Sequence, residues 1–172
     1  PEFLALCREI NAKPVITLPT KTEQLAQIPG LIEYLNSPND GSNPNGGTDW
    51  ARLRASDGQN LPWNVTWFEF GNETFGHNMS SAEYVDNYSQ AYAEIMAIDN
   101  SIKLGAVLED SDTTINGWNK TIVSQLGSKM GFAIVHPYFP VIKKGATKLF
   151  SQNDVMLSAM GADEAIRSRL EG

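Results

Sequence analysis

The chain has 172 residues, and its 13 basic and 20 acidic side chains leave a net charge of −7, which argues against nucleic acid as a partner. With 41% hydrophobic and 19% charged residues it reads as one globular domain spanning residues 1–172. No apolar run approaches the roughly 18 residues of a membrane span, so no membrane partner is expected, and a single cysteine, Cys7, excludes an internal disulfide framework. The chain opens on Pro1 rather than Met, so a preceding segment is expected and no compartment is assigned.

Phe3, Leu6, Cys7 and Ile10 recur at helical spacing, which makes Cys7 a buried, inert thiol. Asn11 suits the left-handed position that ends such a helix. Pro14–Leu18 reads as a short buried strand. Thr22 to about Asn36 is helical in pattern, with a kink or break at Pro29-Gly30. Residues 37–64, rich in Asn, Gly and Pro, read as a structural loop on the face opposite any site, with a short helical piece near 49–55. Val65–Phe70 is a near-continuous run of β-formers, read as buried on both faces, that Gly71 ends just before Asn72 and Glu73. Ser80 with Glu83 forms a capping box, and the helix it starts runs to about Ile98 with a core stripe of Tyr84, Tyr88, Tyr92, Ile95 and Met96. Lys103–Leu108 is a strand ending in Glu109-Asp110; Trp118, Ile122, Val123 and Leu126 mark a helix. Phe132–Val135 is a fourth strand followed by His136-Pro-Tyr138, and residues 152–170 are helical with a break at Gly161.

Alternation of strands and helices specifies a parallel sheet with right-handed crossovers. The polar clusters Thr17–Thr20, Asn72-Glu73, Glu109-Asp110 and His136–Tyr138 all fall at strand ends, as on the active face of an α/β barrel. No Gly-rich phosphate loop follows a strand, so a nucleotide-binding Rossmann fold lacks support. His77 and His136 lack metal-ligand spacing, and Glu109, Asp110 and Asp112 lack an EF-hand pattern and read as a solvated acidic loop; neither metal nor cofactor is expected. Five glycosylation sequons, at Asn64, Asn72, Asn78, Asn87 and Asn119, are what a composition rich in Asn, Ser and Thr produces by itself.

Leu53-Arg-Ala-Ser-Asp-Gly58 and Pro62-Trp-Asn-Val-Thr-Trp-Phe-Glu-Phe-Gly-Asn-Glu-Thr-Phe-Gly76 together resemble glycoside hydrolase family 51, the α-L-arabinofuranosidases of clan A. Phe3–Val15 is similar to the family's approach to its third strand, Glu33-Tyr34-Leu-Asn36 to the end of the next helix, and His136-Pro-Tyr138 to the end of the sixth strand. The resemblance implies an α/β fold, a (β/α)8 TIM barrel of which this chain carries about strands three to six. It implies a retaining hydrolase acting on a plant-type polysaccharide or oligosaccharide. In that resemblance Glu73 is the general acid/base, Asn72 binds the sugar hydroxyl beside the scissile bond, His136 lines the sugar pocket and Tyr138 orients the nucleophilic carboxylate.

The clan's nucleophile comes from the seventh strand, which this chain does not reach by that count. Glu69, four residues before Glu73 on one strand and so roughly 13 Å away, is too far to partner it, since retaining carboxylates stand about 5–5.5 Å apart. Glu69 reads instead as a paired structural carboxylate pointing into the barrel. Glu109 and Asp110 lie on the neighbouring strand, but the family offers no precedent for them as nucleophile. The chain alone is therefore expected to be inactive and, with two open sheet edges, to pair with a second copy. Two alternatives stay open: another clan A enzyme, a xylosidase or endo-glycanase, and a non-catalytic half-barrel.

Overall fold

The computed structural model describes residues 2–77, 79–109, 117–137 and 151–171. They fall into two compact units, residues 1–135 and 136–172. The first contains α1 (Glu2–Glu9), β1 (Val15–Leu18), α2 (Thr22–Leu25), α3 (Ile28–Asn36), α4 (Trp50–Ser56), β2 (Trp67–Phe70), a 3-10 turn (Thr74–Gly76), α5 (Ser81–Ile98), β3 (Lys103–Val107), α6 (Trp118–Leu126) and β4 (Phe132–Ile134). The strands pair in parallel in the order β1-β2-β3-β4, each joined to the next through helical segments, as parallel pairing demands.

Local chemistry accounts for most of the boundaries. Asn11 takes φ 56 where α1 ends. The Asp49 side chain accepts from Arg52 N–H at 2.9 Å to start α4, and Ser80 Oγ accepts from Glu83 N–H at 3.1 Å to start α5. The break expected at Pro29-Gly30 comes earlier, between Leu25 and Ile28. Pro29 lies in the first turn of α3, where its missing N–H leaves no helical bond unmade. Gly30 serves a different purpose: a Cβ there would stand 2.7 Å from the Trp50 ring, so the glycine lets α4 approach α3.

Alternation puts Ile16, Leu18, Phe68, Phe70, Leu104 and Ala106 on one face of the sheet. They share a core with Ile28, Ile32 and Leu35 of α3, Tyr84, Tyr88 and Ile95 of α5, and Ile122 and Leu126 of α6. The opposite face carries Val15, Thr17, Trp67, Glu69, Lys103, Gly105, Phe132 and Ile134. Val15, Thr17 and Lys103 are exposed there, and Trp67 and Glu69 half-buried. Burial of β2 on both faces is thus corrected: helices cover one face, whereas Trp67 and Glu69 on the other are only half-buried among the described residues. Phe132 folds over Gly105, where a Cβ would lie 2.5 Å from its ring, and meets Trp67 edge-on at 5.3 Å between centroids.

The segment between α3 and β2 is built as scaffold. The Asn36 carboxamide receives Val65 N–H at 2.9 Å and donates to Val65 C=O at 2.9 Å, fixing the approach to β2. Cys7 is buried, and the Arg8 guanidinium lies 4.5 Å from the Trp63 ring centroid, tying α1 to that approach. In the second unit α7 (Gln152–Met160) and α8 (Ala162–Glu171) meet at Gly161. Ser151 and Asp154 cap α7 reciprocally, through bonds of 2.8 and 3.2 Å. Among the described residues no helix is long and apolar enough to cross a membrane.

Candidate active site

At the carboxyl end of β2 the chain turns within a narrow channel. Gly71 N–H donates to Leu18 C=O of β1 at 3.1 Å. Gly71 has φ +84, and a Cβ on it would stand 2.3 Å from Thr74 Oγ1 and 2.5 Å from Thr20 Cγ2, so glycine alone fits. Asn72 follows, exposed, and then Glu73, half-buried, with φ 47 and ψ 35. Three non-glycine residues among those described have positive φ: Asn11, Asn64 and Glu73. Asparagine visits this region readily; glutamate does so at a cost of about 1–2 kcal/mol. Such a conformation persists only where the surroundings impose it, and the next residue, Thr74, is buried.

The neighbouring strand ends are also held by side chains. Val107 N–H donates to Tyr84 Oη at 2.9 Å, and Trp118 Nε1 donates to Val107 C=O at 2.9 Å. Tyr84 Oη in turn donates to Phe70 C=O at 2.7 Å; burial pushes its phenol well above the ordinary tyrosine range, which keeps it a donor. Asn119 grips both backbone groups of Glu109, accepting its N–H at 2.8 Å and donating to its C=O at 2.7 Å. Glu109 is consequently only 9% exposed, which corrects its reading as part of a solvated loop. Asp110 and Asp112 lie outside the described residues.

Glu69 accepts a hydrogen bond from the Thr17 hydroxyl, its register partner across β1 and β2, in keeping with a structural carboxylate. Asn72 and Glu73 stand together on the loop after β2. His136 is half-buried two residues past β4 and belongs to the second unit, and Tyr138 lies outside the described residues. The Asn87 sequon is occupied by the fold: its side chain is buried and Nδ2 donates to Thr20 C=O at 2.9 Å. An apolar cavity of about 530 Å³ bordered by Pro19, Leu31, Tyr34 and Trp50 includes neither Asn72 nor Glu73. Of the supports, Thr20 falls in the polar cluster Thr17–Thr20 read from sequence at a strand end of the active face, whereas Thr74, Tyr84 and Asn87 were not singled out as parts of the site. Their one visible signal was a polar Asn87 three residues after Tyr84, on the stripe assigned to the core.

The family model described as "Alpha-L-arabinofuranosidase 1 domain" matches residues 1–125. Among curated proteins, the intracellular exo-alpha-(1->5)-L-arabinofuranosidase of Acetivibrio thermocellus is 24% identical, over 97% of this chain and 32% of its own length. Among solved structures, the alpha-L-arabinofuranosidase of Thermotoga maritima in its arabinose complex superposes with a TM-score of 0.68 at 29% identity, over 83% of this chain and 28% of that one. A family 51 alpha-L-arabinofuranosidase of Bifidobacterium longum shares the fold with a TM-score of 0.74 at 19% identity, over 98% of this chain and 33% of that one. The chain spans about a third of the length of these proteins.

Proposed function

The chain belongs to the alpha-L-arabinofuranosidase 1 domain family, within glycoside hydrolase family 51, and on that premise we propose that it is the part of a retaining α-L-arabinofuranosidase that bears the acid/base. Its four parallel strands are part of a (β/α)8 barrel. The observation that carries the reading is Glu73 itself, a half-buried carboxyl in a left-handed conformation at the carboxyl end of a barrel strand. Protonated Glu73 gives its proton to the glycosidic oxygen as a carboxylate from outside this chain bonds the anomeric carbon and the C–O bond breaks. The Glu73 carboxylate then takes a proton from water, whose oxygen displaces the enzyme carboxylate and restores the starting configuration. Asn72 binds the hydroxyl next to the scissile bond; His136 lines the pocket and Tyr138 orients the nucleophile. The partner is a carbohydrate, a plant-type polysaccharide or oligosaccharide.

In the whole protein an aryl α-L-arabinofuranoside is expected to be hydrolysed at least tenfold faster than an aryl β-D-xyloside, with the first-formed sugar retaining its configuration by NMR. A preference for the xyloside would move the assignment to another clan A enzyme, and inversion would remove the two-step mechanism.

The 172-residue chain alone is expected to hydrolyse neither substrate and to self-associate. Among the described residues β1 and β4 are the sheet edges, Val15 on β1 is 48% exposed, and Thr17 and Lys103 on the face bearing Trp67 and Glu69 are exposed. Two copies related by rotation about the strand direction would pair β4 with β1 and complete eight parallel strands without supplying the nucleophile. Sedimentation at several concentrations, run beside the arabinofuranoside assay, checks both halves; a monomer with turnover would refute them.

A further inference from the structure

We propose that Tyr84 and Asn87 are positioning residues that hold Glu73 in its left-handed conformation. The catalytic consequence rests on the acid/base reading above; the conformational one does not. The two residues are three apart on α5 and so share a face. Lys103 N–H donates to Thr66 C=O at 2.7 Å, and the two-residue repeat of the parallel ladder would bring Val107 N–H to Phe70 C=O as a later rung. Tyr84 Oη is inserted in that rung, accepting from Val107 and donating to Phe70. It parts β2 from β3 one residue before Gly71 and fixes the carbonyl from which the loop departs.

Asn87 acts on the other wall. Its Nδ2 donates to Thr20 C=O at 2.9 Å and lies 3.2 Å from Thr22 Oγ1. Thr20 supplies the methyl carbon on one side of Gly71, and Thr74 the hydroxyl on the other. A Thr20 held in place keeps Gly71 free of any side chain and narrows the backbone choices two residues before the positive φ of Glu73. Tyr88 offers an internal control. It is as buried as Tyr84, and its hydroxyl donates to a strand carbonyl, Leu104 C=O at 2.8 Å, but near the amino end of β3.

The test compares Tyr84→Phe, Asn87→Ala and Tyr88→Phe in the 172-residue chain by NMR, reading the strong intraresidue HN–Hα contact that marks a positive φ at Glu73. It is expected to weaken in the first two variants and persist in the third. In the whole protein, kcat/KM on a substrate with a poor leaving group is expected to fall roughly 10–100-fold for Tyr84→Phe and Asn87→Ala, mostly through kcat, and by less than about threefold for Tyr88→Phe. An unchanged Glu73 signal in both Tyr84→Phe and Asn87→Ala overturns the proposal, as does an equal change in all three. A lost signal with unchanged turnover upholds the positioning and removes the acid/base reading instead. Should Tyr84→Phe fail to fold, Asn87→Ala against Tyr88→Phe decides by the same readout.

Discussion

Glu73→Ala in the whole protein is expected to lower kcat/KM on substrates with poor leaving groups by roughly 10²–10⁴-fold, the range of a single acid/base group. Activated aryl arabinofuranosides leave without a proton, so their first step should survive and the glycosyl-enzyme should accumulate for want of a base. Azide, which attacks without deprotonation, is expected to restore turnover and release a glycosyl azide of retained configuration. The alkaline limb of the kcat/KM profile, which reports ionisation of the acid, should disappear for these activated substrates. Equal losses for all leaving groups without rescue would assign Glu73 a structural role. The φ of 47 adds a second comparison. Glu73→Gly should be as impaired as Glu73→Ala yet more stable by about 1 kcal/mol, because glycine occupies the left-handed region without the side-chain penalty. Urea midpoints of the two variants check this, and no difference would mean that the conformation carries no strain.

What could be read from the sequence follows from how far each signal reaches along the chain. Strand runs such as Val65–Phe70 and helical stripes such as that of α5 are local periodicities, and they placed four strands and their order along the chain. Gly71 ending β2 and Ser80 opening α5 are equally local. The conformation of Glu73 was not legible, since no local periodicity encodes a positive φ at a glutamate, and the proposed hold on it runs through Thr20, fifty-three residues earlier. Nor was the role of Tyr84: a tyrosine on an apolar stripe looks like core whether its hydroxyl caps a distant rung or not. The helix break near Pro29 was misplaced because proline in a first turn and proline in a helix interior look alike before the boundary is known. Glu109 read as solvated because its burial accompanies a carboxamide on α6 that grips its backbone.

Arg54→Ala is expected to destabilise the chain by about 3–5 kcal/mol, a large loss for one side chain far from the proposed chemistry. Arg54 has no exposed surface. Its guanidinium donates to Gln59 C=O at 3.1 Å, Tyr34 C=O at 2.9 Å and Asn60 C=O at 3.1 Å, with Glu33 C=O at 3.5 Å. Two of these carbonyls belong to the last turns of α3, where Glu33 C=O also accepts Ser37 N–H at 3.0 Å, and two belong to the loop leading to β2. One planar fork therefore stitches α3, α4 and the approach to β2 together, which a lysine with a single ammonium centre could not reproduce. Removal takes this donor from the part-buried Tyr34, Gln59 and Asn60 carbonyls and leaves a void the size of the side chain. Arg52 lies two residues away on the same helix but is exposed, so Arg52→Ala should change stability by no more than about 0.5 kcal/mol. At roughly 2–4 °C per kcal/mol for a chain of this size, the two variants should differ in Tm by about 10 °C, with Arg54→Lys recovering only part of the gap. Equal melting of Arg54→Ala and Arg52→Ala would show that the carbonyls find other donors and that the clamp is dispensable.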